Sequence, residues 1–345
     1  IRKQRELGGE VQFHAGEPRQ ATSEFLQFSA EDLEQARFEQ FRSACERQGI
    51  TRSVLSQIVS NIAHSSVLVI GDTIVDCYVA CDPLGMSTEA PVIVVKELDS
   101  RQYVGGSGIV ASNIRALGAE VHYVSVVGND QPGLFAAEQL RSLDVNAHLI
   151  QDSSRPTTYK TRYLVENQKL FRVSRLQDHD IDKSVEDRVV EAIEAVAHEV
   201  DVIVISDFVY GVITPRVLKA VDDVQRRTGA LTLADLQCSS QVGNVGKFRN
   251  MGVLCPTERE ARIALASRSE SLEWVAMKLM EATMSQNLVL KLAQDGFVSY
   301  ERGEDGFVGR EHFPSLSTAP LDVTGAGDAL LAALASALAA GASFM

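Results

Sequence analysis

Cysteines and long apolar runs are scarce in this sequence, and each scarcity excludes a class of protein. Five cysteines among 345 residues are odd in number and include no C-x-x-C pair, so we expect neither a disulfide scaffold nor a zinc ribbon. The longest apolar stretch, at 329–340, is too short to span a bilayer. The first residues lack the apolar core of a signal peptide. We therefore expect a cytoplasmic protein with reduced thiols.

Positive charge is also in short supply. Lys and Arg total 33 against 46 Asp and Glu, which gives a formal net charge of −13. An acidic surface repels phosphate backbones and anionic lipids, so we expect neither a nucleic-acid partner nor a membrane partner. An anionic substrate would have to meet a local cluster of positive groups.

From residue 66 onward, short apolar runs alternate with helical stretches. This alternation predicts an α/β fold with a doubly wound, mainly parallel sheet flanked by helices. The runs that read as buried strands are 67–70, 121–127, 202–205, 231–234 and 288–290. The helical stretches between them include 109–117, 185–196, 215–226 and 271–284.

Two stretches break this rhythm and predict a small β lid. Residues 90–98 form an extended run with no helix after it, and residues 158–175 read as a hairpin that turns at 166–169. The lid would comprise about residues 73–104 and 157–176. Such a platform often covers a site at the carboxyl edge of a parallel sheet.

The string most informative about chemistry is Asp322-Val323-Thr324-Gly325-Ala326-Gly327-Asp328, which is followed at once by an Ala/Leu helix. Glycines allow close approach of a ligand, and amides at a helix N-terminus form an anion hole. An Asp at the mouth of that hole can accept the proton of an attacking hydroxyl. The string predicts phosphoryl transfer from a nucleotide to an alcohol. The structural alternative is a glycine-rich loop that only caps a core helix.

This string resembles the signature of the ribokinase-like (PfkB) carbohydrate kinases. Further strings that resemble the family are V-L-V-I-G-D-T-I-V-D at 67–76, Gly105-Gly106-Ser107-Gly108 and Val127-Gly128-Asn129-Asp130. Within the family, segments 89–96, 155–162 and 205–211 resemble the kinase modules of bacterial heptose-7-phosphate kinase/ADP-heptose synthases. The resemblance covers residues 66–345 and implies a ribokinase-like fold with a β lid.

The resemblance also implies roles for individual residues. Asp328 would be the general base, and Gly325, Ala326 and Gly327 the anion hole for the transferring phosphoryl group. ATP and Mg²⁺ would be the cofactors, with Mg²⁺ held partly through Glu260. The residues expected to bind the nucleotide are Thr324, Gly325, Gly327, Thr257, Lys291 and Gly296. Those expected to bind the sugar are Asp72, Asp76, Gly105, Gly106, Lys160 and Arg162.

Two of these residues, Lys160 and Arg162, lie two positions apart on a predicted strand and therefore point to one face. Two cations on one face could clamp a phosphate that the sugar already carries. The alternative is a solvated strand face, the usual fate of exposed charges.

Several positions depart from the family pattern. The family's N-x-x-E string begins with Thr257 here, Ile109 replaces an Asn, and Tyr210 and Gln237 stand where the heptose kinases carry lysine. Lys291 stands where a Thr is common. Three functions therefore stay open. The first is a kinase for a sugar phosphate resembling heptose 7-phosphate. The second is a catalytically degenerate sugar- or nucleotide-binding or regulatory module. The third is a kinase for an unphosphorylated sugar or a nucleoside.

The chain is expected to divide near residue 65. Residues 1–65 read as a helical N-terminal segment in which Ser29 and Thr51 cap two helices. Strings at 8–11 and 21–26 resemble the tail of a cytidylyltransferase-like domain, so this segment would end an upstream nucleotidyltransferase-like domain fused to the kinase. The family continues beyond the position of Met345, so we expect a C-terminally truncated kinase domain at 66–345. The resemblance further implies a homodimer formed through the lid.

Overall fold

A computed structural model describes residues 30–166, 168–238, 243–303, 306–317, 320 and 322–345. The strings at 8–11 and 21–26 and the cap expected at Ser29 lie outside these residues. The helices are α1 (Ala30–Arg47), α2 (Arg52–Ile62), α3 (Ser107–Leu117), α4 (Gln131–Ser142), α5 (Lys183–Val196), α6 (Pro215–Thr228), α7 (Glu258–Ala264), α8 (Leu272–Thr283) and α9 (Ala326–Ala339).

Thirteen strands form two sheets in these residues. The strands are β1 (Ser66–Gly71), β2 (Thr73–Met86), β3 (Ile93–Gly106), β4 (Glu120–Gly128), β5 (Asn146–Asp152), β6 (Thr158–Val165), β7 (Gln168–Arg175), β8 (Val202–Asp207), β9 (Leu231–Leu236), β10 (Val253–Leu254), β11 (Asn287–Lys291), β12 (Phe297–Arg302) and β13 (Val308–Phe313). The larger sheet has the order β13-β12-β11-β10-β9-β8-β1-β4-β5, and the smaller has the order β3-β2-β6-β7.

The larger sheet is parallel from β5 to β11 and antiparallel only at the edge formed by β12 and β13. Its interior strand β1 is fully buried at Val67, Leu68, Val69 and Ile70, because helices cover both faces and leave one apolar cluster on each. The doubly wound α/β fold predicted from the sequence is confirmed.

The smaller sheet is the predicted lid, and it is an extension of the larger one. Asp72 alone separates β1 from β2, so the chain passes from an interior strand of the large sheet directly into the lid. β2 pairs with β3 on one side and with β6 on the other. We call β2, β3, β6 and β7 the lid.

The described part of the N-terminal segment packs on the large sheet and its helices. Thr51 caps α2 as predicted, by accepting from the amide of Val54 at 3.3 Å. On α1, Arg47 forms an ion pair with Glu311 of β13 at 2.8 Å, and the ring of Phe41 lies 6.2 Å from that of Phe313. Among the helices of the described residues, none has both the length and the apolar character needed to cross a membrane.

Candidate active site

A cleft of about 1890 Å³ lies between the lid and the carboxyl edge of the large sheet. The sheet places it there because parallel strands end at a common edge, where their loops converge. All but one of the site residues predicted from the sequence line this cleft. They are Asp76, Gly105, Gly106, Lys160, Arg162, Thr257, Glu260, Lys291, Gly296, Thr324, Gly325, Ala326, Gly327 and Asp328.

The loop at 322–328, which we call the signature loop, turns into α9 at Gly325. Gly325 has a φ of +81°, a left-handed conformation that favours glycine. The expected anion hole differs in one detail, because the amide of Ala326 already donates to the carbonyl of Val323 at 3.2 Å. Within the described chain, the amides of Gly325 and Gly327 have no backbone acceptor, so these two can bind a ligand.

Asp328 lies in the first turn of α9, with its side chain largely buried at the floor of the cleft. Gln237, the residue after β9, donates a hydrogen bond from Nε2 to Oδ1 of Asp328. Burial, with the negative charge of Asp235 as a smaller cause, raises the pKa of Asp328 to about 6. A carboxylate in this range can accept a proton near neutral pH.

A buried ion pair lies behind Asp328. The ammonium of Lys291, at the end of β11, donates to both oxygens of Asp235 at 2.7 and 2.8 Å. Burial raises the pKa of Asp235 to about 6, against the opposing effect of Lys291. Burial alone would lower the pKa of Lys291, but the charge and hydrogen bonds of Asp235 raise it above its usual value. Lys291 therefore stays charged at the cleft floor.

Thr257 and Glu260 form a capping box at the start of α7. The amide of Thr257 donates to Glu260 Oε2 at 2.8 Å, and the amide of Glu260 donates to Thr257 Oγ1 at 3.3 Å. The other carboxylate oxygen of Glu260 accepts from the amide of Cys238 at 3.1 Å. Thr257 thus acts as a helix cap, and the carboxylate of Glu260 is fixed at the cleft wall.

This donor set fits a magnesium ion that arrives with a nucleotide. No group of three or more His, Cys, Asp or Glu side chains in the described ranges could hold a metal ion alone. Mg²⁺ is usually bound by one or two carboxylates, waters and substrate phosphates rather than by a protein cage. The carboxylate of Glu260 can serve as the single protein ligand of this kind.

On the sugar side of the cleft, Asp76 of β2 forms an ion pair with Arg162 of β6. Gly105 lies beside this pair. A Cβ at residue 105 would lie 3.2 Å from Cγ of Asp76 and closer still to its Oδ2. Only glycine lets the strand come this close to the carboxylate. Gly106 has a φ of +61° and is the N-cap residue of α3.

Lys160 is buried on the inner face of the lid, with 3 % of its surface exposed. Its ammonium lies 5.0 Å from the ring centre of Tyr210 and 5.7 Å from that of Phe208, distances at which cation–π attraction operates. Across the described part of the chain, no carboxylate lies within 4 Å of it. The alternative of a solvated strand face is therefore wrong for Lys160.

Asp72 is the one predicted sugar ligand that does not line the cleft. It is 2 % exposed, and its carboxylate accepts from the backbone amides of Phe208 at 2.8 Å, Val212 at 3.3 Å and Tyr210 at 3.4 Å. Burial, followed by the charge of Asp207, raises the pKa of Asp72 to about 7. The predicted sugar contact is therefore corrected to a structural one, because Asp72 shapes the loop that carries Phe208 and Tyr210.

A contact between the lid and the signature loop has no counterpart in the sequence analysis. Lys169, at the start of β7, reaches Asp322 at 3.3 Å and the hydroxyl of Thr324 at 2.9 Å. Hydrogen bonds from Thr324, aided by Lys169, lower the pKa of Asp322 to about 2. No local pattern could reveal this contact, since the partners lie more than 150 positions apart. Asp235 was missed for the same reason.

Comparison with known proteins identifies relatives of this chain. The sequence profile described as "pfkB family carbohydrate kinase" matches residues 64–345. A bifunctional protein HldE of Helicobacter hepaticus is 34% identical over 279 residues, which are 80% of this chain and 56% of that protein. An HldE of Geobacter sulfurreducens is 35% identical over 295 residues, 83% of this chain and 58% of that protein. The chain thus spans little more than half the length of these curated relatives.

Solved structures of sugar kinases share the fold. Phosphofructokinase-2 from Escherichia coli, in complex with substrates and products, superposes with a TM-score of 0.66 at 13% identity, covering 81% of this chain and 88% of that one. Arabidopsis thaliana ribokinase, complexed with ribose and ATP, gives a TM-score of 0.60 at 17% identity and the same two coverages, 81% and 88%. At this identity the likeness extends to the fold alone.

Proposed function

The chain belongs to the pfkB family of carbohydrate kinases, and on that premise we propose that it phosphorylates a hydroxyl of a sugar that already carries a phosphate, such as heptose 7-phosphate. The family is one of phosphotransferases with an alcohol group as acceptor. The finer assignment, to a sugar phosphate, rests on one observation. Lys160 presents a buried ammonium to the cleft without a carboxylate partner among the described residues.

A buried ammonium without an anion is costly, because burial removes its hydration and aromatic rings return only part of that energy. Arg162, two residues along the same strand, is already neutralised by Asp76. Lys160 is therefore the cation of this pair that remains available to a substrate anion. A phosphate on the sugar would supply that anion, whereas a plain sugar or a nucleoside would leave the ammonium unpaired.

Phosphoryl transfer would follow from the arrangement of residues at the floor of the cleft. Asp328 takes the proton of the attacking sugar hydroxyl, whose oxygen forms a bond to the γ-phosphorus as the bond to the β,γ-bridging oxygen breaks and ADP leaves. The amides of Gly325 and Gly327 donate to the oxygens of the transferring group. Magnesium bound through Glu260, water and the phosphates would neutralise phosphate charge. Thr324, Thr257, Lys291 and Gly296 also line the cleft, and in this proposal they bind the nucleotide.

The relatives from Helicobacter hepaticus and Geobacter sulfurreducens are both named bifunctional protein HldE, which supports a larger domain arrangement for this protein. We propose that residues 66–345 are the kinase domain and that residues 1–65 end a fused nucleotidyltransferase-like domain. A homodimer formed through the lid is a further proposal. Its support is the apolar surface of the long β2–β3 arm, where Leu84, Met86, Ile93 and Leu98 are each more than half exposed.

Lys160→Met tests the assignment to a sugar phosphate. Steady-state kinetics with heptose 7-phosphate and related sugar phosphates should show a KM raised about 10- to 150-fold, the range for one hydrogen bond to a charged group. The KM for ATP should be unchanged. Lys96→Met is the matched control, because Lys96 lies exposed on the lid strand β3 and outside the cleft lining. Equal losses with phosphorylated and plain sugars would contradict the phosphate clamp and favour a kinase for plain sugars.

A further inference from the structure

The floor of the cleft holds an ammonium directly below the signature loop. A Cβ built on Gly327 would lie 3.6 Å from Nζ of Lys291, so the lysine faces the open side of that glycine. The side chain of Lys291 is 11% exposed and lines the cleft, whereas its partner Asp235 is fully buried. The pair is thus oriented, with the carboxylate of Asp235 in the protein interior and the ammonium of Lys291 toward the cleft.

Two of the three N–H groups of the ammonium are used by Asp235. In the part of the chain that the structure describes, no other acceptor pairs with Nζ, so one donor remains for a ligand. Asp235 holds Nζ in place because it fixes two of its donors. Lys291 itself ends β11, which packs in the parallel part of the sheet. The ammonium is therefore rigidly placed before any ligand binds.

Besides Lys291 and Arg259, the charged side chains near this end of the cleft are acidic. Asp328 and Glu260 face the cleft, and Asp235 lies behind it. The other cations in the described lining belong to the lid (Lys160, Arg162, Arg101 and Arg172) or to α7 (Arg259). Lys291 alone comes from the sheet beneath Gly327. A group with two or three negative oxygens placed at the Gly327 amide would meet repulsion from Asp328 unless a nearby cation balanced it.

We propose that Lys291 binds the transferring phosphoryl group together with the amide of Gly327, and that Asp235 is the residue that positions it. This inference rests on the proposed function, because it assigns a role in the same reaction. It makes the ion pair part of the phosphoryl site rather than only a support of the fold. The contact forms with the γ-phosphoryl group, so it should distinguish ATP from ADP.

The test uses the full chain and compares two variants that differ only in whether the ammonium of Lys291 is present. Asp235→Asn keeps Lys291, and the double variant Asp235→Asn/Lys291→Met removes it without leaving a buried carboxylate unpaired. Calorimetry should show that the non-hydrolysable ATP analogue AMP-PNP, with Mg²⁺, binds about tenfold more weakly to the double variant than to Asp235→Asn. The dissociation constants of the two variants for ADP with Mg²⁺ should agree within twofold. The kcat of the double variant should be about 100-fold lower than that of Asp235→Asn, with the KM for the sugar unchanged.

A matched control and a replacement variant separate the loss of the ammonium from a general loss of the fold. Asp207→Asn/Lys247→Met removes a similar pair at the end of β8 that does not line the cleft, and it should leave the AMP-PNP to ADP ratio unchanged. If circular dichroism shows that the double variant is unfolded, the single variant Lys291→Gln takes its place, because the glutamine amide can still donate to Asp235. The same loss of AMP-PNP binding is expected.

Two results separate failure of this inference from failure of the proposed function. An active wild-type enzyme, with equal AMP-PNP binding and kcat within threefold across the variants, would refute the role of Lys291 alone. A wild-type chain that phosphorylates no sugar or sugar phosphate would instead refute the proposed function. In that case a tenfold loss of AMP-PNP binding would still place Lys291 at the nucleotide phosphates.

Discussion

The close approach of Gly105 to Asp76 makes Gly105→Ala a sharp perturbation of the sugar side. Gly105 is the second-to-last residue of β3 and pairs with Ile74, and its backbone does not adopt a positive φ. The added methyl group would lie 3.2 Å from Cγ of Asp76 and would overlap its Oδ2. The obstructing atom is the end of a side chain, so the carboxylate would move while the strand stays in place.

The size of the effect follows from that displacement. Ordinary contact requires about 3.5 Å between heavy atoms, so the carboxylate must shift by about 1 Å and turn away from Arg162. A misplacement of about 1 Å at a positioning residue can cost about 100-fold in rate. We expect kcat/KM for the sugar phosphate to fall about 100-fold in a coupled ADP-release assay, with the KM for ATP unchanged. The melting temperature should change little.

Gly309→Ala is the matched control for this variant. Gly309 also lies in a strand, β13, and a Cβ there would meet nothing closer than 3.9 Å. It should leave both kinetic constants and the melting temperature unchanged. If Gly105→Ala retained wild-type kcat/KM, Asp76 would have no part in holding the sugar, and the assignment of this side of the cleft would be wrong.

Three further predictions concern the floor and the lid. Asp328→Asn should bind ATP normally by calorimetry yet lower kcat by about two to four orders of magnitude, and near-wild-type turnover would remove Asp328 as the base. In the wild type, kcat should fall as the pH drops below about 6, because protonation of Asp328, whose pKa is raised to about 6, removes the base; a profile flat down to pH 5 would contradict this. Lys169→Ala should raise the KM for the sugar phosphate severalfold and increase ATP hydrolysis without sugar, since the lid loses its contact with Asp322 and Thr324; unchanged hydrolysis would show that this contact does not close the site.

The fold could be predicted largely because fully buried parallel strands read as continuous apolar runs. β1, β4, β8, β9 and β11 all coincide with predicted runs. β12 and β13 were missed because they form an antiparallel edge and lack a continuous apolar run; β13 reads V-G-R-E-H-F, with three polar residues in succession. β5 was missed because only two of its seven residues, Ile150 and Asp152, are buried, and because it includes Asn146 and His148.

The site was predictable where its chemistry is local in sequence. The signature loop carries its base, its glycines and its helix start within seven consecutive residues. Asp72 was misassigned because its partners, the amides of Phe208, Tyr210 and Val212, lie at least 136 positions away. The pairing of Asp235 with Lys291 likewise depends on how the ends of β9 and β11 meet across the sheet. Long-range contacts of this kind leave no periodic pattern in a single sequence.

Phosphorus NMR of a reaction mixture can show directly whether the chain phosphorylates a sugar phosphate. The wild-type chain would be incubated with ATP, Mg²⁺ and heptose 7-phosphate, in parallel with plain sugars. We expect a second phosphate ester on the sugar phosphate, formed in a one-to-one ratio with ADP and absent with Asp328→Asn. ATP that binds by calorimetry but yields neither a new ester nor ADP with any sugar phosphate would contradict it, and would identify the chain as a binding module instead.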